Sequence, residues 1–186
     1  MTYTVATLIG SLRRESFTRK IANAFTEIAP ATLAFETIDI GSLPLYNQDL
    51  EDAPERPAEW ISFRERIRSK DALLFATPEY NRSVPGVLKN AIDVGSRPKS
   101  QNAWSGKPAA VISVTTGGLG ALGANHHLRQ SLMAVNVAAM AHPEAYIANA
   151  MTLLAPDGRL VNDSTRDFLR KFGEAFAHWV VTLAQR

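Results

Sequence analysis

The chain contains no cysteine. That absence excludes disulfides, thiolate metal centres and cysteine nucleophiles together. Long apolar runs are also missing, and none approaches the roughly 20 residues that a membrane-crossing helix needs. Nor does one sign of charge dominate: 20 Lys and Arg stand against 18 Asp and Glu, a formal +2. The basic residues are scattered, with short clusters at Arg13-Arg14 and from Arg64 to Arg68. Nucleic-acid binding requires a concentrated basic face, so neither a nucleic acid nor a membrane is expected as partner. No positively charged segment followed by an apolar one opens the sequence. No signal peptide is therefore expected, and the cytoplasm is the expected compartment. Histidine is scarce as well. His126 and His127 are adjacent, which on a helix points them about 100° apart, and His142 and His178 are isolated, so no metal site is expected.

What is present is alternation. Tyr3 to Ile9 is an apolar, β-branched run stopped by Gly10, the pattern of a buried strand. Ser16 to Ala29 sets Phe17, Ile21, Ala24, Phe25 and Ile28 at helical spacing, and Pro30 ends it. Thr32 to Ile40 alternates with period two, as a strand nearer an edge would. Residues 41–57, rich in Pro, Asp and Glu, read as a long surface loop. Ala58 to Ser69 is an amphipathic helix, Ala72 to Ala76 a third strand, and a helix follows from about Pro85 to Gly95. After a loop over 97–108, Ala109 to Thr115 is a fourth strand and Ala121 to Val135 a helix. Val137 to Met140, with Tyr146 and Ile147, supplies a fifth strand. Ser164 or Thr165 caps a last helix that carries Phe168, Phe172, Phe176 and Trp179.

Strands alternating with helices call for a parallel sheet covered on both faces. The expected fold is α/β: one domain over residues 1–186, a three-layer sandwich whose five-stranded sheet has the flavodoxin-like order 2-1-3-4-5. Ligands bind such sheets where the strand order reverses, here between strands one and three. The two turns at that point are Gly10 to Ser16 and Pro78 to Ser83.

Both turns carry suitable chemistry. The first leads into a helix N-terminus, whose free N–H groups and positive dipole end attract anions. Ser11, Ser16 and Thr18 add hydroxyls, and Arg13 or Arg14 adds a guanidinium fork. A capped helix with Ser16 as N-cap and solvated arginines is the plainer alternative. In the second turn Pro78 and Pro85 stiffen the backbone, while Glu79, Tyr80, Asn81 and Ser83 offer polar atoms. A third loop, Thr115-Thr116-Gly117-Gly118-Leu119-Gly120, lets backbone approach a flat ring closely. That loop also carries a competing pattern. Gly118, Gly120 and Gly123 follow a strand and open a helix, with Glu144 at about the distance of a ribose-binding acid. Such a dinucleotide site leaves the Pro78 turn without a task.

The motifs Gly10-Ser-Leu-Arg13 with Ser16-Phe17, Pro44-Leu-Tyr46, Thr77-Pro-Glu-Tyr-Asn81, Ser83-Val-Pro-Gly86 and Leu88-Lys-Asn-Ala-Ile-Asp93 resemble the NADPH-dependent FMN reductase family. This flavodoxin-like group includes bacterial quinone, chromate and azo-dye reductases, and the similarity covers nearly the whole chain. His127-Leu-Arg-Gln130 and Pro143-Glu144 are similar to the chromate and quinone reductase branch. The resemblance implies a non-covalent FMN whose phosphate is surrounded by Ser11, Arg13, Ser16 and Phe17. Thr18 stands where the family usually has Asn, which would weaken one phosphate hydrogen bond. The resemblance further implies that Pro78, Glu79, Tyr80 and Asn81 border the ring and ribityl chain, with Ser83 at the pocket's edge. Thr115 to Gly118 would run along the pyrimidine edge. Arg82 would face either the nicotinamide nucleotide or an anionic acceptor, or else simply solvent.

The implied activity is transfer of hydride from NADPH or NADH to flavin N5, then of electrons to quinones, with chromate, ferric ions, azo dyes and nitro compounds as further acceptors. No protein group need act as acid or base, because the flavin carries the bond chemistry. A flavin-binding electron carrier without turnover is the alternative. Relatives form dimers or tetramers, so a homodimer or homotetramer is implied.

Overall fold

The computed structural model describes residues 1–184; the last two residues of the expected domain, Gln185 and Arg186, lie outside the described residues. The elements run β1 (Tyr3–Ile9), α1 (Phe17–Ile28), β2 (Leu33–Thr37), α2 (Gln48–Asp52), α3 (Ala58–Arg68), β3 (Ala72–Thr77), α4 (Gly86–Gly95), β4 (Pro108–Val114), α5 (Leu122–Ala134), β5 (Ala138–Ala139), β6 (Ala145–Ile147), α6 (Ala150–Leu153) and α7 (Asp163–Ala184). The sheet has the expected order β2-β1-β3-β4-β5, and every pairing is parallel.

Successive side chains of a strand point to opposite faces, and both faces here are dry. Ala6, Leu8, Leu73, Phe75, Ala109 and Val111 share one core with residues of α3, α4 and α5. Val5, Ala72, Leu74, Ala110 and Ile112 share the other with Ile21 and Phe25 of α1 and Leu169, Phe172 and Phe176 of α7. Strands buried on both faces read as unbroken apolar runs, which is why β1, β3 and β4 are plain in the sequence.

The fifth strand is in fact two. β5 pairs with β4 through Ala139 opposite Ala109, and β6 resumes with Ala145 opposite Ile112. Between these pairs β4 advances three residues and its partner six, so the stretch around His142-Pro143 leaves the ladder. Proline has no N–H to give it. The expected loop over 41–57 contains the short helix α2, capped by Asn47, whose side chain accepts from the Asp49 N–H at 2.9 Å. At the last helix the cap is neither Ser164 nor Thr165. Asn162 Oδ1 accepts from the Thr165 N–H at 2.8 Å, and the helix begins at Asp163.

A buried ion pair ties α2 down. Glu51 and Arg64 are each 3% exposed, and Arg64 Nη2 lies 2.5 Å from Glu51 Oε2. Arg64 Nε also donates to the Val94 carbonyl at 2.8 Å, and its guanidinium lies over the Trp60 ring. From the rim, Arg56 Nε donates to the Glu51 carbonyl at 2.6 Å. Two charges taken out of water need this degree of satisfaction, since either one alone would be strongly destabilising.

Candidate functional site

Parallel register carries β1 and β3 side by side to their carboxyl ends, where Ile9 faces Ala76. The turns that leave them touch. The Gly10 N–H donates to the Ala76 carbonyl at 2.8 Å. A Cβ on Gly10 would press on Pro78 Cδ at 3.3 Å and Leu88 Cδ2 at 3.1 Å.

A cleft of about 160 Å³ opens at this switch point. Ser11, Arg13, Ser16, Phe17 and Thr18 line it from the first turn, and Pro78, Glu79 and Tyr80 from the second. The end of β4 contributes Thr115, Thr116 and also Val114, which sequence reasoning missed. Val114 ends an apolar run that reads only as core, and nothing in its spacing marks it as a lining residue. Wider depressions occur elsewhere, up to about 430 Å³, but this cleft sits where the strand order reverses, the place open α/β sheets use for ligands.

The first turn has the features of an anion site. Ser16 is the N-cap of α1, its hydroxyl accepting from the Arg19 N–H at 3.2 Å. The first helical N–H groups remain available at the positive end of the dipole. Ser11, Ser16 and Thr18 are all buried. Arg13 is exposed and, among the described residues, engages no acidic side chain. The nearby Glu15 is taken up by Lys20 at 2.7 Å. That hydrogen bond chiefly holds the Glu15 carboxyl below its usual range, and Arg13 adds a smaller pull. Arg13 therefore makes no ion pair among the described residues.

The second turn is a tight hairpin. Tyr80 and Ser83 each donate an N–H to the other's carbonyl at 3.1 Å, and Asn81 and Arg82 sit at φ +50 and +65. These are the angles of a type I′ turn, which favours Asn at its first position and Gly at its second. Placing Arg at the second costs about 1 kcal/mol or more, so the surroundings must hold it there. They do so through α5. Glu79 Oε2 accepts from the Ala124 N–H at 3.1 Å, and Ser83 Oγ lies 3.0 Å from His127 Nδ1. A Cβ on Gly123 would meet the Arg82 carbonyl oxygen at 2.8 Å and Glu79 Oε2 at 2.9 Å.

These contacts decide against the dinucleotide reading. The start of α5 is occupied by the Glu79 carboxylate, where a pyrophosphate would have to sit. Gly123 makes room for the hairpin instead. Gly120, at φ +60, packs on Tyr146. Glu144 lies 4.0 Å from Arg129 Nε and beside Tyr146, whose hydroxyl, 3.1 Å from His126 Nε2, is pushed up to about 12, chiefly by burial and secondarily by the Glu144 carboxylate.

The remaining expected residues lie outside the cleft wall. Asn81 and Arg82 form the exposed hairpin tip, and Arg82 approaches Glu79 no closer than 3.9 Å. Ser83 turns toward His127. Gly117 and Gly118 are exposed on the third loop, just beyond Thr116.

Buried hydroxyls, a helix start and a free guanidinium suit a phosphate monoester such as that of FMN. The cleft is smaller than the 300–1,000 Å³, roughly, of sites that enclose a whole ligand. It has room for a phosphate and sugar end but not for a whole ligand of that size.

The chain belongs to the NADPH-dependent FMN reductase family, which it matches over residues 3–152. Membership makes it an oxidoreductase with FMN as cofactor and a reduced nicotinamide nucleotide as donor. It is similar to a quinone reductase of Pseudomonas putida, 56% identical over 179 residues, covering 96% of this chain and 95% of the relative. A 2-hydroxy-1,4-benzoquinone reductase of a Burkholderia species is 42% identical over 181 residues, 97% of each chain. Among solved structures, FerB from Paracoccus denitrificans, a flavoenzyme NAD(P)H:(acceptor) oxidoreductase, superposes with a TM-score of 0.90 at 42% identity, covering 97% of this chain and 98% of that one.

Proposed function

We propose that this chain is an FMN-dependent NAD(P)H:quinone oxidoreductase and that the cleft between residues 10–18 and 77–80 holds the FMN phosphate. The carrying observation is the convergence of three buried hydroxyls, the α1 N-terminus and the uncommitted Arg13 in one cleft against the Pro78 turn. In this reading Ser11, Ser16 and Thr18 donate hydroxyl hydrogen bonds to phosphate oxygens, Arg13 neutralises their charge, and Phe17 shields them from water. Pro78, Glu79, Tyr80 and Asn81 border the ring and ribityl chain. Thr115 to Gly118 run along the ring's edge, with the N–H groups of Thr116 and Gly118 left to meet its electron-rich oxygens. Arg82 stands at the rim to meet an anionic acceptor or the nucleotide.

When bound, FMN would supply the two-electron redox chemistry between nucleotide and acceptor. The protein's share is to position, to neutralise phosphate and to leave one face open, so no side chain has to move a proton. The matched relatives named for quinone substrates make quinones the first acceptors to test. An open face discriminates poorly, which extends the class to chromate, ferric, azo and nitro compounds. The chain acts as one domain, assembles as a homodimer or homotetramer and works in the cytoplasm.

Anaerobic reduction tests this reading. The FMN-loaded protein should be yellow, bleach on adding NADPH or NADH, and regain colour with benzoquinone. Failure to bind FMN would refute the cleft assignment. Colour that persists under excess nucleotide would instead make the protein a carrier without turnover.

A further inference from the structure

The loop that follows β4 is tied down mainly by its carbonyls; of its N–H groups, that of Thr115 donates to the Ile147 carbonyl at 2.9 Å and that of Gly117 to Thr115 Oγ1 at 3.3 Å. The Thr115 carbonyl accepts from the Ala150 N–H and the Gly117 carbonyl from the Asn149 N–H, both at 3.0 Å, and the Leu119 carbonyl accepts from Leu122 at 3.2 Å. The Gly120 carbonyl accepts from the Ser113 hydroxyl at 2.7 Å. Among the described residues, the N–H groups of Thr116, Gly118, Leu119 and Gly120 find no partner. With the carbonyls of Thr115, Gly117, Leu119 and Gly120 engaged and the N–H groups of Thr116, Gly118, Leu119 and Gly120 free, the stretch presents chiefly donors. It offers hydrogen bonds to a ligand rich in oxygen or negative charge.

Beneath the loop lies a polar chain with a fixed direction. Arg129 Nη1 donates to the Met140 carbonyl at 2.8 Å, and Arg129 Nε donates to Asn125 Oδ1 at 2.8 Å. A guanidinium can only donate, so Asn125 must present its oxygen to Arg129 and its NH2 to the other side. There Asn125 Nδ2 donates to Ser113 Oγ at 3.0 Å. With that lone pair used, the Ser113 proton is directed at a carbonyl, that of Gly120 or, at 3.3 Å, that of Ala145. Ser113 and Asn125 are both fully buried, where an unsatisfied polar atom is costly. The chain therefore has one direction, from Arg129, whose Nη2 is buried without a partner, to the Ser113 hydroxyl, whose shorter bond is to Gly120.

We infer that Arg129, Asn125 and Ser113 are positioning residues: a directed chain of donors that holds the Gly120 carbonyl inward and so keeps the N–H groups of Thr116, Gly118, Leu119 and Gly120 available to the electron-rich edge of the bound ring. This rests on the flavin reading of the cleft. It adds three side chains that touch neither the cleft nor the cofactor, and it ties their effect to the charge the ring carries when reduced.

Two variants separate the chain's direction from its bulk. Ser113→Ala removes the terminal donor. Asn125→Asp keeps the shape and strengthens the bond to Arg129, but it has no NH2, so the Ser113 proton turns toward the new carboxylate and Gly120 loses its donor. NMR order parameters of the N–H vectors of residues 116–120 are measured first, without FMN. The expected values are about 0.85 in the parent and below about 0.6 in both variants, with β4 and α7 unchanged. FMN affinity, by fluorescence titration, should fall about tenfold, equivalent to about 1.4 kcal/mol. The midpoint potential of the bound flavin should become more negative in both, because the reduced, anionic ring loses its donors.

Unchanged loop order parameters would overturn the proposal, as would loosening spread equally through β4 and α5, or a potential that does not move while affinity falls. If the parent protein bound no FMN, the flavin reading would fail, while the order parameters would still decide whether the chain holds the loop.

Discussion

Gly123→Ala sets two effects of opposite sign against each other. Alanine is the better helix former by about 1 kcal/mol at most, and Gly123 lies in the first turn of α5. On propensity alone the variant is stabilised. The added Cβ, however, would stand 2.8 Å from the Arg82 carbonyl oxygen and 2.9 Å from Glu79 Oε2. The first of these is backbone of a tight hairpin and cannot swing aside. Overpacking of this kind costs about 1–3 kcal/mol, and displacing Glu79 from the Ala124 N–H forfeits a helix cap worth about 1 kcal/mol. The clash outweighs propensity, with a net loss near 2 kcal/mol. In a chain of this length that lowers Tm by roughly 4–8 °C. Because the displaced hairpin carries Glu79 and Tyr80 into the cleft wall, FMN affinity should fall as well. Gly86→Ala is the control: it also opens a helix, α4, but a Cβ there meets nothing within 4 Å, so it should leave Tm unchanged or slightly raised. Calorimetry of the apoprotein and a fluorescence titration with FMN read both effects. A Tm at or above the parent's for Gly123→Ala, with unaltered flavin affinity, would refute the docking of the hairpin on α5.

Arg13→Ala should weaken FMN binding at least tenfold, or about 1.4 kcal/mol, while leaving the apoprotein's Tm within about 1 °C, since the exposed side chain has no acidic partner to lose. Equal losses in both would make Arg13 structural. Alkaline titration followed by tyrosinate absorbance should show a late step from Tyr146. Tyr146 ionises near 12 in the folded chain against about 10 when unfolded. The folded state thus holds that proton more tightly, and the stability linked to it, complete below about pH 10, is lost as pH rises toward 12. Tyr146→Phe should abolish the late step; its survival would assign it elsewhere.

The parts of this fold that were legible in sequence are those fixed by local pattern. β1, β3 and β4 are apolar runs because both sheet faces are covered, and the Ser16 cap needs only its own helix. The turn pair at Gly10 and Pro78 followed from strand order, which alternation constrains. Other features are set by partners distant in sequence. Gln48 to Asp52 has no helical stripe to reveal α2, which is held by Asn47 and by Arg64, 13 residues beyond Glu51. Asn162 through Thr165 are four consecutive good caps, and tertiary packing chooses among them. Glu79 was legible as a polar group of the turn, but only the position of α5 shows that one of its oxygens is spent on Ala124. Ser113 lies in a strand that reads Val-Ile-Ser-Val, where nothing signals a directed hydrogen-bond chain.

The Glu51–Arg64 clasp has a consequence for how the molecule resists degradation. Residues 41–57 form a long excursion with one short helix, the sort of segment where nicking is ordinarily expected. Peeling it from the surface would carry the Glu51 carboxylate away and strand the Arg64 guanidinium, buried on α3, without its partner, so partial detachment is disfavoured and release should accompany loss of the α3–α4 layer. Limited digestion should therefore begin elsewhere, and cuts within 41–57 should track global unfolding.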